Sequence, residues 1–253
     1  MSSTIRLYDK DPYQYEFDAT VVSCTKCEKG YDVVLDATQF FPEQGGQDCD
    51  PGPLNGMQVK DVQIKEDIIH HYVDEELNGK VHGIIDFEKR YDRMQNHSGE
   101  HCFSGICHRL YGVTNVGFRL VDDIMTIDFD KPLTMEQLIE AENLVNKAIT
   151  DNLPIHCSYP ENVCEIEYRS KKELNGPIRI VEIPGVDICA CCAPHVHTTG
   201  EIGIFKVLRF EKHKAGIRIF VACGKRALVD YQLKQPTKIQ DLRQGFWSSN
   251  HNF

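Results

Sequence analysis

The chain has 253 residues, of which 41% are apolar, and its formal net charge is −10. This length exceeds the roughly 100–150 residues of a typical single domain, so two lobes are expected. The negative charge argues against indiscriminate binding to nucleic acid, although a local basic surface is compatible with it. No stretch approaches the roughly 20 apolar residues of a membrane span, and the first residues lack the apolar segment of a secretory signal. We therefore expect a soluble, cytoplasmic protein without a membrane partner.

Eleven cysteines need an interpretation. An odd number without a secretory signal favours reduced thiols over a disulfide framework, with some of the thiols serving as metal ligands. Five of the cysteines lie in apolar or mixed segments and are interpreted as small buried side chains. These five are Cys102, Cys107, Cys157, Cys164 and Cys223.

The first third of the chain predicts β structure. Alternating and β-branched residues occur at 15–22, 31–36, 58–64 and 68–73, with turn residues between them. Residues 41–47 read FPEQGGQ. Adjacent glycines permit positive φ and a close approach to a ligand or another chain segment, but they also occur in ordinary turns. We expect a β-rich lobe that ends near residue 87.

Two helices are predicted in the middle of the chain. The first covers residues 88–110 and ends at Gly112, and residues 116–129 then predict a pair of strands. Thr134 begins a capping box, and the helix that follows stops before Pro154. Its apolar stripe is expected to pack on a sheet. The stripe consists of Leu138, Ile139, Ala141, Val145, Ala148 and Ile149.

The last third predicts more strands and a helical tail. Strands are expected at residues 155–159, 178–183, 203–210 and 216–223, the last two as an antiparallel pair. From residue 224 the pattern becomes helical, which we interpret as a C-terminal tail or as the start of a region missing from this chain.

Two short segments carry metal-ligand spacing. His97 and His101 are separated by four residues, which places both imidazoles on one face of a helix, and Cys191 and His195 repeat the spacing. Together the pairs supply the four nitrogen and sulfur donors of a tetrahedral zinc site. The alternative is a set of ordinary surface histidines and buried thiols. Three further residues compete for the second pair: Cys189, Cys192 and His197.

Glu100 lies between the two helical histidines. On a helix it is turned about 100° from its neighbour His101, so it either supports the ligands from behind or faces solvent.

Three segments resemble one family in their order along the chain. Residues 41–47 are similar to its glycine-rich motif, with Gln44 where a further glycine is usual. Residues 93–101 (RMQNHSGEH) and 191–203 (CCAPHVHTTGEIG) are similar to its two metal-binding segments. The chain thus resembles the editing domain of alanyl-tRNA synthetases and the free-standing alanyl-tRNA editing proteins of the AlaX type. Residues 192–194, Cys-Ala-Pro, replace the family's Gly-Gly-Thr, which changes backbone freedom and removes a hydroxyl from the pocket.

The resemblance implies an α+β fold. It consists of an N-terminal β-barrel-like lobe followed by an editing domain with an antiparallel sheet and packed helices. We assign residues 1–87 to the barrel-like domain with the glycine motif, 88–223 to the zinc-containing editing domain and 224–253 to the tail.

The resemblance also implies an enzyme, an aminoacyl-tRNA deacylase acting on tRNA(Ala) mischarged with serine or glycine. Its zinc ligands correspond to His97, His101, Cys191 and His195. Thr126 and Glu100 are the catalytic candidates, with Thr126 as a sensor of a serine hydroxyl in a strand that faces the pocket.

Two other interpretations of the function remain at this point. One is a zinc-containing tRNA-binding module without catalysis, and the other is a fragment of a larger protein related to alanyl-tRNA synthetase. Basic residues near the first metal segment are candidates for phosphate contacts or for solvated surface: Lys89, Arg90 and Arg93.

Overall fold

A computed structural model describes residues 3–121, 124–170 and 177–234. Its strands, numbered in chain order, are β1 Ile5–Arg6, β2 Glu16–Cys27, β3 Gly30–Leu35, β4 Ala37–Thr38, β5 Gly52–Leu54, β6 Met57–Val59, β7 Asp61–Lys65, β8 Ile68–Val73, β9 Lys80–Ile84, β10 Asn115–Val121, β11 Ile124–Phe129, β12 His156–Ser158, β13 Ile180–Ile183, β14 Asp187–Ala190, β15 Phe205–His213 and β16 Gly216–Cys223. The helices are α1 Phe87–Tyr111 and α2 Met135–Thr150, and residues 224–234 are also helical. Short 3₁₀ turns cover Leu7–Asp9, Val163–Glu165 and Thr199–Ile202.

The first lobe is a seven-stranded antiparallel sheet in the order β6-β5-β9-β2-β3-β8-β7. Strand β2 is twelve residues long, and it pairs with β9 through its first half and with β3 through its second half. The sheet is thereby nearly closed on itself, which confirms the barrel-like lobe. Aromatic and aliphatic side chains from several strands fill its interior. The fully buried ones include Val33, Leu35, Phe40, Phe41 and Leu54.

The second lobe packs helices on a four-stranded antiparallel sheet of order β10-β11-β16-β15. Side chains of α1 and α2 share one core with this sheet, where the rings of Phe103 and Phe205 stack with centroids 5.0 Å apart. A smaller sheet, β12-β13-β14, brings β14 against α1. The expected α+β architecture is confirmed. Residues 235–253, most of the predicted tail, lie outside the described residues, and the proposed domain boundaries stay predictions.

Local signals explain where both helices begin and end. Asp86 accepts a hydrogen bond from the Lys89 amide at the start of α1, and Gly112 ends it with φ 59°. Thr134 and the Gln137 side chain form the predicted capping box of α2. The apolar stripe is correct except for Ile139, which is 52% exposed because it faces away from the sheet. No described helix combines the length and apolarity that a membrane crossing requires.

The cysteine interpretation is partly wrong. All eleven cysteines are free thiols, and Cys102, Cys107 and Cys223 are buried as expected. Cys157 and Cys164 are exposed instead, because they lie on the outer strand β12 and in a 3₁₀ turn and not in a core.

One buried ion pair joins the lobes. The Arg90 guanidinium on α1 hydrogen bonds to Asp50 of the first lobe, with Nε 3.0 Å from Oδ2, and both side chains are fully buried. Arg90 also donates to the carbonyl oxygens of Gln39, at 2.6 Å, and Pro12, at 3.0 Å. Both sequence-based alternatives for Arg90, a phosphate contact and a solvated surface position, are therefore wrong, since its side chain is buried and its charge is neutralised inside the protein.

Replacing Asp50 by alanine is expected to lower the free energy of unfolding by roughly 3 kcal/mol, because Arg90 would remain buried without a counter-charge. Urea unfolding of the purified variant measures the change. Glu211→Ala is the matched control, since its ion pair with Arg209 is exposed and is worth less than about 1 kcal/mol. Equal losses in the two variants would contradict the assignment of a stabilising buried pair.

Candidate metal centre

The fold brings both predicted ligand pairs to one point. Helix α1 carries His97 and His101 one turn apart, and the loop after β14 carries Cys191 and His195. The Nε2 atoms of His97 and His195 lie 3.6 and 3.5 Å from the Cys191 sulfur. One donor atom from each of the four residues lies within 4.8 Å of the other three, and the three histidines are at most 3% exposed. The four residues are called the donor cluster below.

Each histidine of the donor cluster is oriented by a partner outside it. The three Nδ1 atoms are engaged in hydrogen bonds, which leaves the Nε2 atoms to face the cluster. The pairs are His97 with Gln47 Oε1 at 2.9 Å, His101 with Asp187 Oδ2 at 3.1 Å and His195 with Ser98 Oγ at 2.9 Å. Such outer partners fix ring orientation and tautomer in zinc proteins, so the cluster has the organisation of a metal centre.

The protonation tendencies of Cys191 and His195 also suit metal binding. Burial by itself would raise the pKa of the Cys191 thiol, but the neighbouring imidazoles of the donor cluster bring it well below its usual range. Burial lowers the pKa of His195 to about 3, which keeps its imidazole neutral. Burial lowers the pKa of His101, but the hydrogen bond to Asp187 and the nearby thiols raise it overall, so a metal ion would have to displace a proton from this imidazole. A thiolate and three imidazole nitrogens form a donor set that fits zinc.

The three rival residues lie outside the four-donor group, although Cys189 forms a second, three-donor group with His101 and Asp187 whose donor atoms also lie within 4.8 Å of one another. Cys189 is buried near His101 and Asp187, on the side where Arg169 already binds both Asp187 oxygens at 2.7 and 2.8 Å. Cys192 packs against the core of the first lobe. The His197 ring lies against the Tyr13 ring, with centroids 4.3 Å apart and the planes tilted by 33°. Among the described residues, the four-donor group therefore contains Cys191 as its thiol.

Glu100 is buried beside the donor cluster and does not face solvent. Only 1% of it is exposed, and its Oε1 accepts hydrogen bonds from Ser104 Oγ at 2.7 Å and Asn115 Nδ2 at 2.6 Å. Its Oε2 lies 3.9 Å from the Nε2 atom of His101. The carboxylate is therefore held in place at the edge of the cluster.

A cavity of about 520 Å³ adjoins these outer partners. Its lining includes Asn115, which hydrogen bonds to Glu100, and Asp187, which hydrogen bonds to His101. The cavity thus reaches one residue that orients a cluster histidine, Asp187, and one that holds Glu100, Asn115.

Thr126 lies on the face of the sheet opposite to the helices. In β11 it pairs with Arg119 and Phe220, whereas its neighbours Met125 and Ile127 point into the core shared with the helices. Side chains alternate across a strand, so Thr126 faces away from the helix that carries His97. Its role as a sensor of a serine hydroxyl stays a prediction, and this placement does not support it.

Sequence reasoning missed the residues that orient the ligands. Gln47 belongs to the glycine motif, which marked a close approach without identifying the partner. Ser98 stands inside the first metal segment, and Asp187 lies two residues before Cys189. No sequence periodicity links these residues to the histidines that they contact.

The comparisons with known proteins point to one family. Residues 178–219 match the model described as "Threonyl and Alanyl tRNA synthetase second additional domain". The chain is 34% identical over 260 residues to alanyl-tRNA editing protein AlaX-L of Pyrococcus horikoshii, covering 96% of this chain and 62% of the relative. The resemblance to alanyl-tRNA editing proteins is confirmed.

Two further relatives extend the same comparison. The chain is 34% identical over 246 residues to alanyl-tRNA editing protein Aarsd1 of Mus musculus, covering 88% of this chain and 59% of the relative. It is also 34% identical over 256 residues to alanine--tRNA ligase of Ignicoccus hospitalis, covering 94% of this chain but 27% of the ligase. The chain thus spans about three fifths of the length of the editing proteins that it resembles.

Proposed function

We propose that the chain is a zinc-containing hydrolase that deacylates tRNA(Ala) mischarged with serine or glycine in the cytoplasm. The observation that carries the proposal is the donor cluster, which joins three oriented imidazoles and one thiolate in a chain that resembles alanyl-tRNA editing proteins. tRNA(Ala) is the proposed partner because the relatives are named for editing alanyl-tRNA.

The residues divide the chemistry between them. His97, His101, Cys191 and His195 would hold Zn²⁺, which when bound supplies Lewis acidity or a fixed positive charge near the ester. Glu100 takes a proton from water as the water oxygen attacks the ester carbonyl carbon. The bond between that carbon and the terminal ribose oxygen breaks, and the ribose oxygen takes up the proton that Glu100 accepted from water, which restores the carboxylate. The products are free serine or glycine and uncharged tRNA.

Deacylation assays on three esters of the same tRNA test the proposal. Zinc-loaded protein is expected to release serine from seryl-tRNA(Ala) at least about 100-fold faster than alanine from alanyl-tRNA(Ala), because a pocket that hydrogen bonds to the serine hydroxyl disfavours the apolar methyl group of alanine, which glycine lacks. Glycyl-tRNA(Ala) is expected to be hydrolysed as well. The measurement is the initial rate of loss of labelled amino acid, with protein-free buffer as the control.

Two outcomes would reject parts of this function. If serine is released no faster than in buffer, the proposed catalysis is rejected and the alternative of a tRNA-binding module without catalysis is favoured. Equal release of serine and alanine would show a deacylase without the proposed specificity.

A further inference from the structure

The glycine motif of the first lobe reaches into the donor cluster of the second. We propose that Gln47 is a positioning residue for the metal centre, and that the first lobe thereby sets the affinity of the second lobe for its metal. The inference rests on the proposed zinc site, but it concerns a residue that contacts a ligand of that site and is not itself one of the four donors.

The backbone around Gln47 is fixed on the second lobe's sheet. Gly46 O accepts a hydrogen bond from the Leu120 amide at 2.7 Å, and Leu120 O accepts one from the Asp48 amide at 3.2 Å. Gln47 and Leu120 form a parallel bridge. Strand β10 is an outer strand of its described sheet, so the loop covers an edge that would otherwise expose unpaired backbone groups.

Gly46 makes this approach possible. Its φ is 88°, and a Cβ atom there would lie 2.2 Å from the Phe118 carbonyl oxygen. Only glycine fits such a contact without displacing one of the two backbones. The Phe118 ring in turn lies against His97, with centroids 4.6 Å apart. The loop, the strand and the ligand are therefore packed as one unit.

The loop is also tied to α1 on its other side. Arg93, one helical turn before His97, donates to the Cys49 carbonyl oxygen at 2.7 Å. Asp50, the next residue, binds Arg90 on the same helix. Gln47 thus lies between backbone contacts to β10 and the contacts that Arg90 and Arg93 of α1 make with the same loop. The residue is 1% exposed. A side chain fixed in this way can impose an orientation on its partner.

The chemistry of the contact has a direct consequence for the metal. With Oε1 facing His97, the Nδ1 atom carries the proton and donates it, so the Nε2 atom presents a lone pair towards Cys191. The opposite tautomer would place a proton on Nε2, where no metal could bind. Gln47 therefore selects the binding-competent form of His97 and holds its ring in place.

Substitutions of Gln47 separate its hydrogen bond from its volume. Gln47→Met keeps the size but removes the acceptor, and it is expected to weaken zinc binding by roughly 10–100-fold. Gln47→Glu keeps an acceptor facing Nδ1 and is expected to bind zinc close to the wild-type affinity. The affinity is measured by competition with a chromophoric chelator at fixed pH. The absorption spectrum of the Co²⁺-substituted protein reports the ligand geometry independently of catalysis.

Gln44→Met is the matched control, because Gln44 stands in the same loop, whereas the described partners of the three histidine Nδ1 atoms are Gln47, Ser98 and Asp187. The unfolding temperature of each metal-free variant shows whether the loop remains folded. Unchanged affinity in Gln47→Met, or an equal loss in Gln44→Met or Gln47→Glu, would overturn the inference. Wild-type protein that binds no zinc would instead overturn the proposed metal centre itself, so the two failures are distinguishable.

Discussion

Replacing Cys191 by serine is expected to abolish zinc binding at micromolar metal and to reduce deacylation to the buffer rate. The sulfur lies 3.6 and 3.5 Å from the Nε2 atoms of His97 and His195, so it stands at the centre of the donor cluster. A serine hydroxyl does not ionise at neutral pH, and the cluster would lose its anionic donor. The loss should exceed the roughly 10–100-fold effect of removing an outer partner. Metal content after gel filtration and the rate of serine release measure it.

The other two thiols of the segment supply the controls. Cys189→Ser and Cys192→Ser are expected to retain one zinc per chain, because Cys189 lies beside Asp187 and Cys192 packs against the first lobe. Zinc that stays in Cys191→Ser and leaves in either control would assign the ligand to another cysteine. The experiment thus decides the choice that spacing alone left open.

The ligand pairs were predictable because each depends on local geometry. Residues four apart on a helix share a face whatever surrounds them, so His97 and His101 were certain to lie together once α1 formed. The partner Gln47 stands 50 residues before His97. Its contact depends on how one lobe docks on the other, which no local pattern encodes. The glycine motif indicated a close approach, and the structure supplies its target.

The predictions that were wrong or unsupported concern which side chains are buried and on which face of a helix or strand they lie. Cys157 occupies a short outer strand, and Ile139 lies on the solvent side of an amphipathic helix, although their sequence neighbours are apolar. Thr126 sits in a strand predicted correctly, but its side chain points away from α1 because the register places Met125 and Ile127 on the inner face. Whether a segment forms a helix or a strand follows largely from its local sequence. Which face of that helix or strand lies against the metal site is decided by tertiary packing.

Replacing Glu100 by glutamine is expected to lower the rate of deacylation by roughly 10²–10⁴-fold while zinc remains bound, because an amide cannot accept the proton of the attacking water. The hydrogen bonds from Ser104 and Asn115 to Oε1 hold the carboxyl group at the edge of the donor cluster, and glutamine can accept both. The fold and the ligands should therefore be preserved. Single-turnover hydrolysis of seryl-tRNA(Ala) measures the change, with metal content determined on the same sample.

Two results would separate a proton acceptor from a residue that only supports His101. Glu88→Gln, in the first turn of the same helix, is the matched control and should keep the wild-type rate. If Glu100→Gln lost zinc in proportion to activity, and excess zinc restored the rate, the 3.9 Å approach to His101 would be its only role. A proton acceptor predicts a different pattern, in which excess zinc does not restore the rate. Over the pH range in which both proteins keep their zinc, the acidic limb of the wild-type pH–rate profile should also disappear in the variant, because no carboxylate remains to be protonated as the pH falls.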